Sequence, residues 1–156
     1  MRTIFLAAAC AAIANLAAPL TAEAQSCEAG PQVAAHRTAN GAVRAQYNAL
    51  SRGEWYDAAN IGETVVDSGV SNRHKVAAYS NQCGALAMSG AHADAISACD
   101  AALDLRDGAW RALNNRGVAR WLSGDRPGAL ADFQAANTSS SGEDEVEANL
   151  ALTNCM

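Results

Sequence analysis

Basic clusters, aromatic residues and phosphate loops are scarce in this chain, and each scarcity removes a class of function. Acidic residues outnumber basic ones, 16 to 11, and no run of lysine or arginine occurs. The positive footprint that nucleic acid or an anionic membrane surface requires is therefore missing. Aromatic residues make up only 5% of the chain while alanine is abundant, which favours closely packed helices over a sheet. Small side chains let helix axes approach, and alanine has the highest helix propensity. Gly53, Gly90 and Gly124 are single turn residues and form no phosphate-cradling run. His36, His74 and His92 are scattered, with no metal-ligand spacing to another histidine or to a cysteine. Asp94, Asp100 and Asp104 fall on one helix and read as its wet face. No nucleophile motif is present, so the sequence supplies no catalytic residue, no metal site and no cofactor site.

The first two dozen residues read as a secretory signal peptide. Arg2 gives a positive start, residues 4–20 form an apolar stretch rich in alanine and leucine, and Ala22-Glu23-Ala24 places small residues where cleavage requires them. A membrane anchor would need roughly 20 apolar residues with stop-transfer flanks, and here Asn15 and Pro19 interrupt a shorter run. The expected division is a signal peptide at 1–24, an N-terminal extension at 25–37 and one helical domain at 38–156. The mature chain is then periplasmic or secreted, without membrane insertion. It keeps Cys27, Cys83, Cys99 and Cys155, an even number in a compartment that permits disulfides.

What the chain does contain is a near-copy of itself. Asn81-Gln82-Cys83 through Gly90 to Ala95-Ile96 is echoed 34 residues later by Asn115-Arg116-Gly117 through Gly124 to Ala129-Leu130. A period of this length marks a stacked array of helix pairs. The expected helices run over 38–51, 55–66, 72–89, 92–105, 109–123 and 126–136, with Pro127 tolerated in a first turn where its missing N–H costs nothing. A polar loop at 138–142 leads to a last helix over 143–154, whose Glu143, Asp144 and Glu145 suit the positive end of its dipole.

The third hairpin carries Asn115, Gly117, Ala119, Gly124, Ala129, Phe133 and Ala136, and the second carries Tyr79, Asn81, Cys83, Ala85, Gly90, Ala95 and Ala102. These residues resemble the tetratricopeptide repeat. The first hairpin is a weaker match, on Gly53-Glu54-Trp55 and Ala58, with its register offset by three residues. Arg120 departs from the pattern by standing where an apolar residue is usual. The resemblance implies an all-α, right-handed superhelical array of about three antiparallel helix hairpins, at about 38–67, 72–106 and 109–137. A capping helix at about 143–155 would cover the last hairpin through Val146, Leu150 and Leu152 while Glu145 and Glu147 stay wet.

In a hairpin turning at Gly90-Ala91, Cys83 and Cys99 stand opposite each other, at the positions that Gly117 and Phe133 hold in the next repeat. A disulfide is expected there; two buried thiols are the other reading. Cys27 and Cys155 remain, and the stretch from Cys27 to Thr38 can span on the order of 35 Å if extended, enough to cross three stacked hairpins. Their closure would tie the loose segment 28–37 back across the array. A reactive pair, a lipidated Cys27 and an intermolecular bridge through Cys155 are the alternatives.

Asn81, Asn115 and Asn149 recur at the repeat period. In the family this row faces the concave groove, where an asparagine amide can offer a donor and an acceptor to an extended peptide. The resemblance thus implies a protein or peptide partner, with Asn81, Asn115, Asn149, Arg111, Asn114 and Trp121 as contacts and Ala77, Ser80 and Val118 beside them. Arg111 would attract a carboxylate and Trp121 would offer an apolar plate. The competing reading keeps the asparagines for helix-to-helix hydrogen bonds. Beyond groove binding stand a structural adaptor of an envelope assembly, using the convex face or the chain ends, and a thiol-disulfide protein using Cys83 and Cys99.

Overall fold

The structure is a computed structural model that describes residues 30–155. The expected signal peptide, residues 25–29 and Cys27 lie outside the described residues. Seven helices follow one another with no strand among the described residues: α1 (Gly41–Ser51), α2 (Trp55–Asp67), α3 (Asn72–Met88), α4 (His92–Leu105), α5 (Trp110–Ser123), α6 (Arg126–Ser139) and α7 (Asp144–Thr153).

Helix α1 begins at Gly41 and not at Thr38, because Asn40 is its cap. Its Oδ1 accepts from the N–H groups of Ala42 and Val43, and its extended backbone fixes the boundary. Asp125 caps α6 in the same way by accepting from Gly128, with Pro127 in the first turn. That helix runs three residues beyond its expected end, into the serine-rich stretch. Thr138 joins it by donating to the carbonyl of Gln134 one turn back. The turns at Gly90 and Gly124 require φ of 89° and 94°, values only glycine adopts cheaply.

Within each hairpin the helices pack against each other, α1 on α2, α3 on α4 and α5 on α6. The first helices α1, α3 and α5 also pack side by side, and α7 covers α6 and touches α5. This arrangement is a helix-hairpin array with a capping helix, in which no hairpin buries its apolar face alone. Val146 and Leu152 of α7 are buried against the last hairpin, as are Phe133 and Val118 within it. Glu147 of α7 is exposed whereas Glu145 is half-buried.

One contact, seven residues before each turn glycine and nine after it, is solved in three ways. In the third hairpin Gly117 faces Phe133, and a Cβ on that glycine would lie 2.5 Å from the ring. In the second, Cys83 and Cys99 meet there as a disulfide with Cα atoms 5.3 Å apart. In the first, Gln46 fills the space and Gly62 yields, since a Cβ on Gly62 would run into the Gln46 amide. Large against small, equal against equal and small against large all fill the same gap at interior density.

The disulfide closes a loop of 16 residues, for which the loop-entropy estimate is about 3 kcal/mol. Replacing both cysteines by alanine should therefore lower the melting temperature by roughly 10 °C, read by circular dichroism. A melting curve unchanged by the double replacement would show that the bridge contributes nothing to stability.

Candidate functional site

The first helices of the hairpins line the concave face, and a row of asparagines on α3, α5 and α7 is fully buried there. Asn81, Asn114, Asn115 and Asn149 all have 0% exposure, which would be costly for four primary amides unless their donors and acceptors were satisfied. The partner is the chain's own N-terminal segment. Residues 30–37 carry no helix and run along the row from α7 to α3.

Three rungs hold the main chain of alternate residues. The N–H of Gln32 donates to Asn149 Oδ1 at 2.7 Å, and Asn149 Nδ2 returns a bond to the Gln32 carbonyl at 2.8 Å. The N–H of Ala34 donates to Asn115 Oδ1 at 2.7 Å, and Asn115 Nδ2 donates to the Ala34 carbonyl at 3.0 Å. The N–H of His36 donates to Asn81 Oδ1 at 2.6 Å, and Asn81 Nδ2 donates to the His36 carbonyl at 2.9 Å. Each 34-residue step along the array thus advances two residues along the segment, or about 7 Å of extended chain. Asn114 Nδ2 adds a bond to the Gln32 carbonyl at 2.9 Å, and Arg111 Nε one to the Ala35 carbonyl at 3.2 Å.

The same amides also tie neighbouring helices together. Asn149 Nδ2 donates to Asn114 Oδ1 between α7 and α5, and Asn115 Nδ2 to the Ser80 carbonyl between α5 and α3. In α1, Gln46 Nε2 donates to the Ala78 carbonyl of α3. One row of side chains thus makes both the bonds to the chain's own segment and the helix-to-helix bonds.

Side chains of the segment alternate between two walls, as an extended chain requires. Ala34 is fully buried in a cluster with Trp110, Leu113, Ala136 and Val146, from α5, α6 and α7. Val33 packs on the main core and Ala35 on the cluster around Ala49, Leu50, Ala58 and Ala85. Gln32 presents its side chain to solvent.

The imidazole of His36 sits at the α3 end of the row. Burial first, and then the charges of Arg111, Arg106 and Arg73, lower its pKa to about 4. Its Nδ1 is buried without a hydrogen-bond partner. Arg111 is half-buried with its guanidinium 4.0 Å from the Trp110 ring centre. Burial depresses its pKa despite the opposing pull of Glu143 and Glu145.

Trp121 is placed differently from the groove row. It is 9% exposed in the main core, with the Arg126 guanidinium 3.5 Å from its ring centre. Ala77 and Val118 are likewise core residues. Arg120 finds its partner in Asp132, a carboxylate 4% exposed on α6 that also takes two bonds from Arg116. Arg116 in turn reaches Asp100, and bonding to Asp132 raises its pKa. A buried carboxylate forked by two guanidinium groups keeps its charge satisfied, which explains the cation at a usually apolar place.

Cys155 is a disulfide cysteine; Cys27, the partner expected from the sequence, lies outside the described residues. No group of three or more His, Cys, Asp or Glu residues is arranged to hold a metal among the described residues, and no helix there is long and apolar enough to cross a membrane.

No family model matches the sequence, and no curated protein matches it. Solved structures do match its fold. The first TPR domain of human RPAP3 is 19% identical with a TM-score of 0.63, over 71% of this chain and 85% of that one. The first TPR of Spaghetti (RPAP3), bound to the HSP90 peptide SRMEEVD, is 18% identical with a TM-score of 0.60, over 71% and 86%. The TPR domain of P58(IPK) is 18% identical with a TM-score of 0.63, over 73% of this chain and 32% of that one. The fold is that of a tetratricopeptide-repeat domain.

Proposed function

We propose that this chain is a non-catalytic protein-binding module of the cell envelope, exported by residues 1–24, that holds an extended protein segment in its concave groove. The observation that carries this reading is the set of rungs from Asn81, Asn115 and Asn149 to main-chain N–H and C=O groups. Bonds to the main chain are indifferent to most side chains, so a groove able to hold residues 32–36 is chemically equipped to hold another extended segment. The peptide in the Spaghetti structure supports the same use of this fold. Asn81, Asn115, Asn149, Asn114 and Arg111 are the contacts. A thiol-disulfide function is disfavoured because Cys83 and Cys99 both have 0% exposure.

A second reading has an observation of its own. With residues 30–37 in place the concave row is full, which favours an adaptor that binds through the outer surface or the chain ends. The first hairpin offers an open cleft lined by Ala45, Asn48, Arg52, Glu54, Asp57 and Ile61, beside Tyr56 at 73% exposure.

Capture from envelope extract with the mature chain and with its Asn115→Ala, Arg111→Ala double variant separates the two. Groove binding predicts that a partner held by the parent chain changes at least tenfold in recovery with the variant. Equal recovery by the folded variant would reject the groove and favour the outer surface.

A further inference from the structure

The resident segment also shows what the groove tolerates, because its residues are treated unequally. The Gln32 main chain is held by Asn149 and Asn114 while its side chain is exposed. The Ala34 main chain is held by Asn115, and its methyl group is enclosed at 0% exposure by Trp110, Leu113, Ala136 and Val146. Immediately before it, Val33 packs its branched side chain on the main core beside Gly84 of α3, where an added Cβ would press the Asn115 amide at 3.0 Å and just touch the Val33 Cβ at 3.4 Å. A close-packed wall rejects added volume, whereas the exposed position at Gln32 does not.

We infer that the groove selects its protein partner by size at one position: the partner enters extended, its N-terminal side towards α7, with alanine or glycine over Asn115 preceded by an apolar residue, and displaces residues 30–37. This rests on the groove reading proposed above. The segment is thus an intramolecular competitor that only a well-fitting sequence replaces.

Two tryptophan variants of the mature chain test this, one with Ala34→Trp and one with Gln32→Trp. The readouts are amide exchange across residues 32–36 and binding of a labelled synthetic peptide with the sequence of residues 30–37. In the Ala34→Trp chain the segment should exchange at least tenfold faster and the groove should accept the peptide. The Gln32→Trp chain should keep its segment docked and bind little peptide. The peptide carrying its own Ala34→Trp change should bind the Ala34→Trp chain at least tenfold more weakly than the unmodified one.

Equal binding of both peptides would overturn size selection and leave the groove reading standing. An Ala34→Trp chain that frees its segment yet binds neither peptide would overturn the groove reading itself. If that chain does not fold, the two peptides are added in excess to the wild-type chain, where only the unmodified one should accelerate exchange of the resident segment; equal acceleration, or none by either, overturns the inference. A wild-type dimer on sizing with exchanged segments would assign the groove to a second copy of this chain, against the inference.

Discussion

Replacing Asn115 with alanine should free residues 30–37 and destabilise the domain by about 3 kcal/mol. No other side chain in the groove has as many buried dependants. Its Oδ1 accepts from the Ala34 N–H, and its Nδ2 donates to the carbonyls of Ala34 and Ser80. Asn115 itself is fully buried, as is Ala34, and Ser80 is 1% exposed. Truncation leaves the Ala34 N–H and C=O without partners in a closed site, where each costs about 1–3 kcal/mol unless water enters, while the Ser80 carbonyl loses its second bond and keeps the one within α3. Release of the segment lets water in and limits the total. For a domain of this size the melting temperature should fall by roughly 10 °C. Asn81→Ala should cost less, because its bonds to His36 are only part-buried. A thermal melt of each variant, paired with exchange at the Ala34 amide, checks both statements. An Asn115→Ala chain that melts within a degree of the parent and still protects that amide would refute them.

Lowering the pH should free the same segment by another route. When the segment is docked, the pKa of His36 is lowered to about 4, chiefly by burial and then by Arg111, Arg106 and Arg73. Undocked, the imidazole returns to about 6.5. Above that value both states are neutral, so docking is at full strength. As the pH falls through 6.5 the undocked state takes up a proton that the docked state refuses, and docking weakens until about pH 4, below which nothing further is lost. The full shift would weaken docking by about thirtyfold between pH 7.5 and 5; discounted for the water that reaches a half-buried ring, at least fivefold is expected. His36→Asn removes the titrating group and should leave docking nearly independent of pH over that range. Exchange at Gln32 and Ala34 as a function of pH, in both chains, is the measurement. Equal pH dependence in the two would place the titration elsewhere.

The repeat period makes the second and third hairpins legible in the sequence, because their turns and packing positions coincide at one spacing. The first hairpin is less so, and the reason is physical. Its large and small packing partners are exchanged, Gln46 on the first helix and Gly62 on the second, where the third hairpin has Gly117 and Phe133. What the array preserves is a filled contact between the two helices, whichever helix supplies the larger side chain, and a residue-by-residue comparison does not record that. Arg120 is a similar case: its partner Asp132 stands 12 residues further on, and the two meet only because α5 and α6 lie together.

The row of asparagines can be read from the sequence, and the cysteines there suggest a return of segment 28–37 across the array, but that this segment fills the row cannot be read. The groove recognises residues 32–36 largely through their N–H and C=O groups, which every non-proline residue carries. Such a segment has no composition that announces it. The one side chain with a strict requirement is the Ala34 methyl, and an alanine is unremarkable in a chain so rich in them. The helix start at Gly41 shows the same limit from the other side: the stretch from Thr38 has helical character, and the Asn40 cap together with the docked segment overrides it.

Amide exchange at single-residue resolution across residues 32–36 of the mature chain at neutral pH tests most directly whether the concave asparagines hold an extended main chain. Slow exchange at Gln32, Ala34 and His36, with faster exchange at the intervening Val33 and Ala35, is the expected result, because only the first three amides donate to the row. Fast and equal exchange at all five would contradict it.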